Sequence, residues 1–516
     1  MPWKQNDKER CSSRRDGPSD DKCHTNLKVE NIMFLKQIYD PGLSQYAYLI
    51  GCQRTGEALL IDPQRDIDRY EKIAAENDLG ITAVAETHIH ADFVSGVREF
   101  LGSGENVHAY LSDMGDVDWK YEWARGRKDV TLLMDGDIFN VGNIQIKVLH
   151  TPGHTPEHIC FLVEDHGGGA DEPMALVSGD FIFVGDVGRP DLLESAAGEV
   201  GNREPSARKL YQSIVSSAEL PDYLQVLPGH GAGSACGKSL GSIPSTTIGY
   251  ERRFNSAMTT ALEDGEDSFV EEILSGQPEP PAYFARMKKV NKDGIAILGG
   301  LPDPEKLTPS DIVALVDSDA VFLDVRTDRL AFMEAHLQGA LFTPFASKFS
   351  VAAGSYLDPG QAIYLLVENG EQVEACVREL IRMGFDDVRG YALVREVLLS
   401  SECESRITRT QRITISQMEE EHRRNPGSTI LDVRSADEYQ QSHLEGALNI
   451  AYTRLAAEQD RLPGKSNGPL IVHCASGVRA SLATPYLERI GYEVLYADGL
   501  FSDWEAQNAL ANKSSN

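Results

Sequence analysis

No apolar run in the chain approaches the roughly 18 residues a membrane-spanning helix needs, so a helical membrane protein is not expected. The first thirty residues lack the apolar stretch of a secretory signal. They carry Asp7, Glu9, Asp16, Asp20 and Asp21, whereas transit peptides are poor in acids. Residues 1–27 therefore read as a disordered, solvated tail. Basic residues are scarce: 49 Lys and Arg against 79 Asp and Glu leave a net charge of −30, which disfavours nucleic acid or an anionic membrane as partner. Cysteine is scarce too. Eight irregularly spaced thiols in 516 residues make no disulfide framework and fit a reducing, cytoplasmic compartment, where a cysteine that matters is a reactive thiol.

The length predicts about three domains. Strand-like runs open the chain (NIMFLKQIYD, SQYAYLIGC, ALLID), then the helical DRYEKIAAENDLG and the buried strand ITAVAET. Three more units follow in which an apolar strand ends in a polar segment: IQIKVLH before TPGHTPEH, MALVSGD, and YLQVLPGHG. Loops at one end of a packed sheet are where sites are built. This first domain is expected at 28–290, with a linker at 291–304 after the proline-rich GQPEPPAYF.

The remainder repeats internally. LDVRTDRLAFMEAHLQGAL matches LDVRSADEYQQSHLEGAL with one residue of slippage, and His336 maps on His443 at an offset of 107 (443 − 336). At the same offset IRMGFDDV maps on ERIGYEVL, predicting two small α/β units with parallel sheets at 305–400 and 410–512.

THIHADF places His88, His90 and Asp92 after a strand; His154 lies in TPGHTPEH, Asp180 in SGD and His230 in PGHG. Imidazoles and carboxylates converging from several strand ends make a nitrogen and oxygen metal site. These segments resemble the metallo-β-lactamase superfamily, whose HxHxDH signature is intact here except that Phe93, which can ligate nothing, replaces the last histidine. In the two-metal hydrolases of that superfamily this histidine belongs to the second metal. Its loss leaves His88, His154 and Asp180 as the expected ligand set, with Asp92 and His230 outside it. His90 ranks below those three, because persulfide dioxygenases of this superfamily hold one iron by two histidines and an aspartate. With GDVGRPDLL and HGAGSACGKS, the sequence resembles the bacterial persulfide dioxygenases fused to rhodanese domains. The resemblance implies one Fe(II) per chain, with a thiol persulfide, O₂ and water giving sulfite and free thiol. Such a ligand set leaves positions open for O₂, whereas zinc has no redox chemistry to activate it. Arg189 is either an anchor for an anionic substrate or a structural ion pair. Cys236, six residues after His230, is a candidate for exchange with a persulfide.

IVHCASGVRAS runs from an apolar strand through Cys474 and small residues to Arg479 at a helix start. Backbone N–H groups of such a loop stabilise a thiolate and an anion beside it. This segment, with LDVR, HLEGA and the late DGL, resembles rhodanese sulfurtransferases; the six residues from Cys474 to Arg479 match the loop size that in that family admits a sulfur atom. The resemblance implies a Cys474 persulfide that exchanges its outer sulfur with thiosulfate or sulfite. In the middle copy Cys474 maps on Val367 and Arg479 on Gln372, so that copy lacks nucleophile and cation and reads as a spacer or interface.

The expected fold is an αββα metallo-β-lactamase sandwich followed by two small parallel-sheet α/β rhodanese domains, the first inactive. The expected activity is persulfide oxidation coupled to sulfur transfer. A zinc-dependent thioester hydrolase of the glyoxalase II kind with an appended sulfurtransferase, and a persulfide sensor or sulfur carrier, are the alternatives. The carrier thiol (glutathione, coenzyme A or another) is left open, as is the choice between monomer and homo-oligomer.

Overall fold

The computed structural model describes residues 33–514 apart from 105, 193–200, 239, 242, 244, 278 and 347, so the tail at 1–27 lies outside the described residues. The strands Gln45–Cys52 and Glu57–Ile61 are apolar at consecutive positions because both faces are buried. Tyr48, Ile50, Leu59 and Ile61 point into a core shared with Ile144, Ile146, Val148, Phe161 and Val177 of a second sheet. Leu49 and Leu60, alternating with them, point the other way onto Tyr70, Ala74, Val97 and Phe100 of two covering helices. The second sheet is covered in turn through Leu210, Ile214, Met258 and Phe269. The result is an αββα sandwich of two six-stranded mixed sheets.

The two sheets are stitched together where the polar segments begin. Ile159 N–H bonds the Thr87 carbonyl at 2.8 Å, and Tyr46 N–H bonds that of Gly229 at 2.8 Å. The loops after Gly80–Ala85, Ile144–His150, Ala175–Gly179 and Gln225–Pro228 thus meet at one end of the sandwich.

Each repeat builds a five-stranded parallel sheet, and the two sheets share one strand order. Glu305–Lys306, Val388–Leu393, Ile363–Val367, Val321–Asp324 and Leu341–Phe342 in the first copy match Gln411–Thr414, Val494–Asp498, Leu470–His473, Thr429–Asp432 and Leu448–Asn449 in the second. The LDVR motif has a structural cause. Asp324 binds the guanidinium of Arg326 through both oxygens, and Arg326 Nη2 reaches the Ala335 carbonyl at 2.9 Å. Asp432 and Arg434 do the same toward the Ser442 carbonyl at 2.6 Å. In both copies the clamp ties a strand end to the residue before the matched histidine.

The expected linker is not a free connector. The helix Phe284–Asp293 runs through its first residues, and Asn291 is built into the first domain: its side chain accepts from Ser95 N–H and donates to the carbonyls of His90 and Phe93 at 2.8 and 2.7 Å. The middle copy, expected as a spacer or interface, packs directly on the first domain. Its Arg382 binds Asp66 through both oxygens at 2.9 and 2.6 Å and also pairs with Asp40, while the Arg382 carbonyl accepts from Val94 N–H at 2.6 Å. Arg65 of the first domain, wholly buried, pairs in return with Asp386. One apolar cluster runs through all three units, from Phe93 and Val94 through Leu323 and Leu380 to Val472 and Leu487.

Removing one partner of such a buried network leaves the others charged and dry, at a cost of about 3–5 kcal/mol. Arg382→Ala is therefore expected to lower the urea midpoint followed by tryptophan fluorescence, since Trp119 and Trp123 both sit in the first domain. An unchanged midpoint would mean that the apolar cluster alone holds the two units together.

Candidate functional site

His88 and His154 are each oriented by the second ring nitrogen. Thr87 Oγ1 donates to Asp62 at 2.9 Å, so it accepts from His88 Nδ1 at 3.0 Å and leaves Nε2 as a lone-pair donor. His154 Nδ1 donates to the Arg189 carbonyl at 3.1 Å, with the same consequence. Both free Nε2 atoms face Asp180 Oδ2, His88 at 3.9 Å and His154 at 3.4 Å. Asp180 is aimed by its own N–H, which donates to His158 Nε2 at 3.0 Å while His158 Nδ1 bonds Thr151 Oγ1 at 2.8 Å.

Burial, reinforced by neighbouring imidazoles, holds His88 well below the ordinary imidazole range and His154 at about 3, so both are neutral. Burial also lifts the Asp180 carboxyl to about 6, against the pull of His230. Neither Asp180 oxygen has a hydrogen-bond partner. Ligand atoms of His88, His154 and Asp180 all lie within 4.8 Å of one another. Two neutral imidazoles and an unpartnered carboxylate converging in this way fit a divalent cation.

His90 turns elsewhere. Its Nε2 lies 3.2 Å from Asp62, and its ring packs on Phe93 with centroids 4.4 Å apart. Burial opposes its charge, but Asp62, Glu86 and Asp92 outweigh that and raise it to about 9. Asp92, His230 and Cys236 form a second buried group with ligand atoms within 4.8 Å. His230 Nε2 is 3.5 Å from both Asp92 and Asp180, which joins the groups. Cys236 is 2% exposed, and burial followed by the charges of Asp180 and Asp92 pushes its thiol well above the usual range. Arg189 conforms to the ion-pair alternative: wholly buried, it is held by Asp191 at 2.8 and 2.6 Å, with its Nη1 on the Ala235 carbonyl.

Sequence reasoning missed Asp62 and did not weigh His158 or Thr87. Asp62 sits at φ 53°, a strained conformation for a non-glycine residue, and accepts from Thr87 N–H, Thr87 Oγ1 and His90. The available signal was ALLID, one more apolar strand ending on an acid.

In the last domain the strand Leu470–His473 delivers Cys474, 1% exposed, to a loop whose Gly477 takes φ 81° before the helix Val478–Arg489. Ala480 N–H points at Cys474 Sγ, 3.4 Å away. Arg479 is paired with Glu438, Nη2 to Oε1 at 2.7 Å; burial opposes the ionised carboxyl, but Arg479 overrides it and draws Glu438 to about 2. A cavity of about 580 Å³ has Asp92 and Ala235 in its wall on one side, Arg479 and Ser435 on the other, and Tyr283 and Lys348 between. Val367 and Gln372 of the middle copy occupy a strand end and a helix start, as Cys474 and Arg479 nearly do in the last domain.

Comparison with known proteins agrees with this architecture. The metallo-beta-lactamase superfamily profile matches residues 40–230, and the rhodanese-like domain profile matches 415–507. A crystal structure of a metallo-beta-lactamase from Staphylococcus aureus subsp. aureus COL is 42% identical, covers 70% of this chain and 99% of its own, and superposes with a TM-score of 0.62. The mitochondrial persulfide dioxygenase ETHE1 of Bos taurus is 27% identical over 45% of this chain and 78% of its own length. A hydroxyacylglutathione hydrolase of Francisella tularensis is 28% identical over 36% of this chain and 63% of its own. The chain therefore belongs to the metallo-β-lactamase superfamily, as an enzyme that carries a C-terminal rhodanese-like domain.

Proposed function

We propose that the chain oxidises a low-molecular-weight thiol persulfide to sulfite and thiol at one iron, and couples this to sulfur transfer at Cys474. The observation that carries the reading is the shared cavity: Asp92, beside the metal residues, and Arg479, at the end of the thiol loop, border one space of about 580 Å³. His88, His154 and Asp180 would hold the metal, and Phe93 puts a buried apolar ring where a two-metal enzyme carries a ligand. Iron there would supply oxygen activation, which zinc does not.

On the thiol side, loop N–H groups and Arg479 hold an anion next to Cys474. A Cys474 persulfide, attacked by sulfite at its outer sulfur, loses that atom: its S–S bond breaks, the S–S bond of thiosulfate forms, and the electron pair stays on Cys474 as thiolate. The reverse step would draw sulfur from thiosulfate. A reducing cytoplasmic location suits both chemistries.

A zinc-dependent thioester hydrolase with an appended sulfurtransferase is the second reading, favoured by the second ligand group at Asp92, His230 and Cys236. Metal analysis of anaerobically purified protein, with oxygen uptake on glutathione persulfide, separates the two. The expected result is about one iron per chain and uptake. Two zinc ions with thioesterase activity and no uptake would overturn the dioxygenase reading.

A further inference from the structure

The thiol loop is held from outside its own domain. Tyr496 stands at its back, and its hydroxyl lies 3.0 Å from the Gly477 carbonyl and 3.0 Å from Asp498 Oδ1. One hydroxyl proton cannot serve both acceptors, and a carboxylate is ordinarily the stronger of the two. Arg329 reaches this pair from the helix Arg329–Glu334 of the middle copy. Its Nη2 donates to Asp498 Oδ1 at 3.1 Å and its Nε to the Tyr496 oxygen at 3.1 Å. With the carboxylate neutralised and the phenol oxygen already accepting, the Tyr496 proton is released to the Gly477 carbonyl.

Gly477 has little freedom to compensate. A Cβ there would stand 2.5 Å from Asp498 Oδ1 and 2.7 Å from the Tyr496 oxygen, and its positive φ is open to glycine. In a planar trans peptide the carbonyl and the following N–H point opposite ways. Holding the Gly477 carbonyl on Tyr496 therefore fixes the direction of the Val478 N–H, one of the donors between Cys474 and Arg479. The other end of the loop is tied within its own domain, by Phe501 N–H on the Ala475 carbonyl at 2.9 Å.

We propose that Arg329, in the copy that lost its nucleophile, is a positioning residue for the Cys474 loop, acting through Tyr496 and Asp498 on the Gly477 carbonyl. The middle domain then shapes the anion-binding backbone of its neighbour's site. The inference rests on the reading of Cys474 as the sulfur-transferring thiol.

The test uses the full chain in a thiosulfate-to-cyanide assay. Cys474→Ser should form no thiocyanate. Arg329→Ala should lower kcat/KM for thiosulfate about tenfold, chiefly through KM because the affected N–H groups hold the anion, as expected for losing one charge-assisted hydrogen bond. Tyr496→Phe should lose about as much. The double variant should lose no more than either single one, because both remove the same bond. Arg329→Lys, which keeps the charge near Asp498, should recover part of the activity. Wild-type kcat/KM in Arg329→Ala, losses that multiply in the double variant, or no recovery with lysine would each overturn the proposal. Should Cys474→Ser keep its turnover, the assignment of that thiol fails, and the role of Arg329 falls with it.

Discussion

Asp180→Ala is expected to retain no stoichiometric iron and to consume no oxygen with glutathione persulfide. Residues that only orient a metal ligand typically cost 10–100-fold in affinity or activity when removed, so losing a ligand should cost more than about 100-fold. The structure supplies the contrast within one molecule. Thr87 orients His88 and is not one of the residues that would hold the metal, and His158 does the same for Asp180. Thr87→Val belongs in the 10–100-fold class, Asp180→Ala beyond it. Iron per chain and oxygen-electrode rates measure both. Full iron and wild-type uptake in Asp180→Ala would place the metal elsewhere, with Asp92, His230 and Cys236 the next set to consider.

Cys474→Ser should abolish sulfur transfer from thiosulfate while oxygen uptake with added persulfide continues. The thiol lies in a sheet of its own, and none of the residues converging on Asp180 comes from that domain. A serine hydroxyl cannot form the persulfide, so the loss should reach about a thousandfold or more, the scale seen when a nucleophile is removed. Products report the coupling: the wild type should release thiosulfate from persulfide and oxygen, and the variant free sulfite. If oxygen uptake disappeared as well, Cys474 would have to act at the metal itself.

The segments that meet at the end of the sandwich were legible because each is an apolar strand that breaks on His or Asp, a pattern local in sequence. The repeat was legible for the same reason: Asp324 with Arg326, and Asp432 with Arg434, form clamps two residues wide. Arg189 left two readings open in sequence, and Asp191, two residues on, supplies the ion pair that one of them expects. The supports were not legible. Asn291 reaches back to the carbonyls of His90 and Phe93, and Arg382 to Val94, across separations with no periodicity to betray them. The linker expected at 291–304 begins inside the helix Phe284–Asp293, and the contacts of Asn291 with the first domain have no local signal in sequence. Burial of Cys236 beside two carboxylates likewise depends on which loops meet, which spacing does not reveal.

The bond from Val94 N–H to the Arg382 carbonyl also bears on the order of events during synthesis. Domains generally fold as they leave the ribosome, N-terminal first. The sandwich can close on its own two sheets, but the segment bearing His88 and Phe93 waits for Asn291, and the residue after Phe93 waits longer still, for a helix of the next domain. A nascent chain halted before residue 382 thus has its ligands without their final backing, so firm metal retention should come late, after most of the polypeptide has been made.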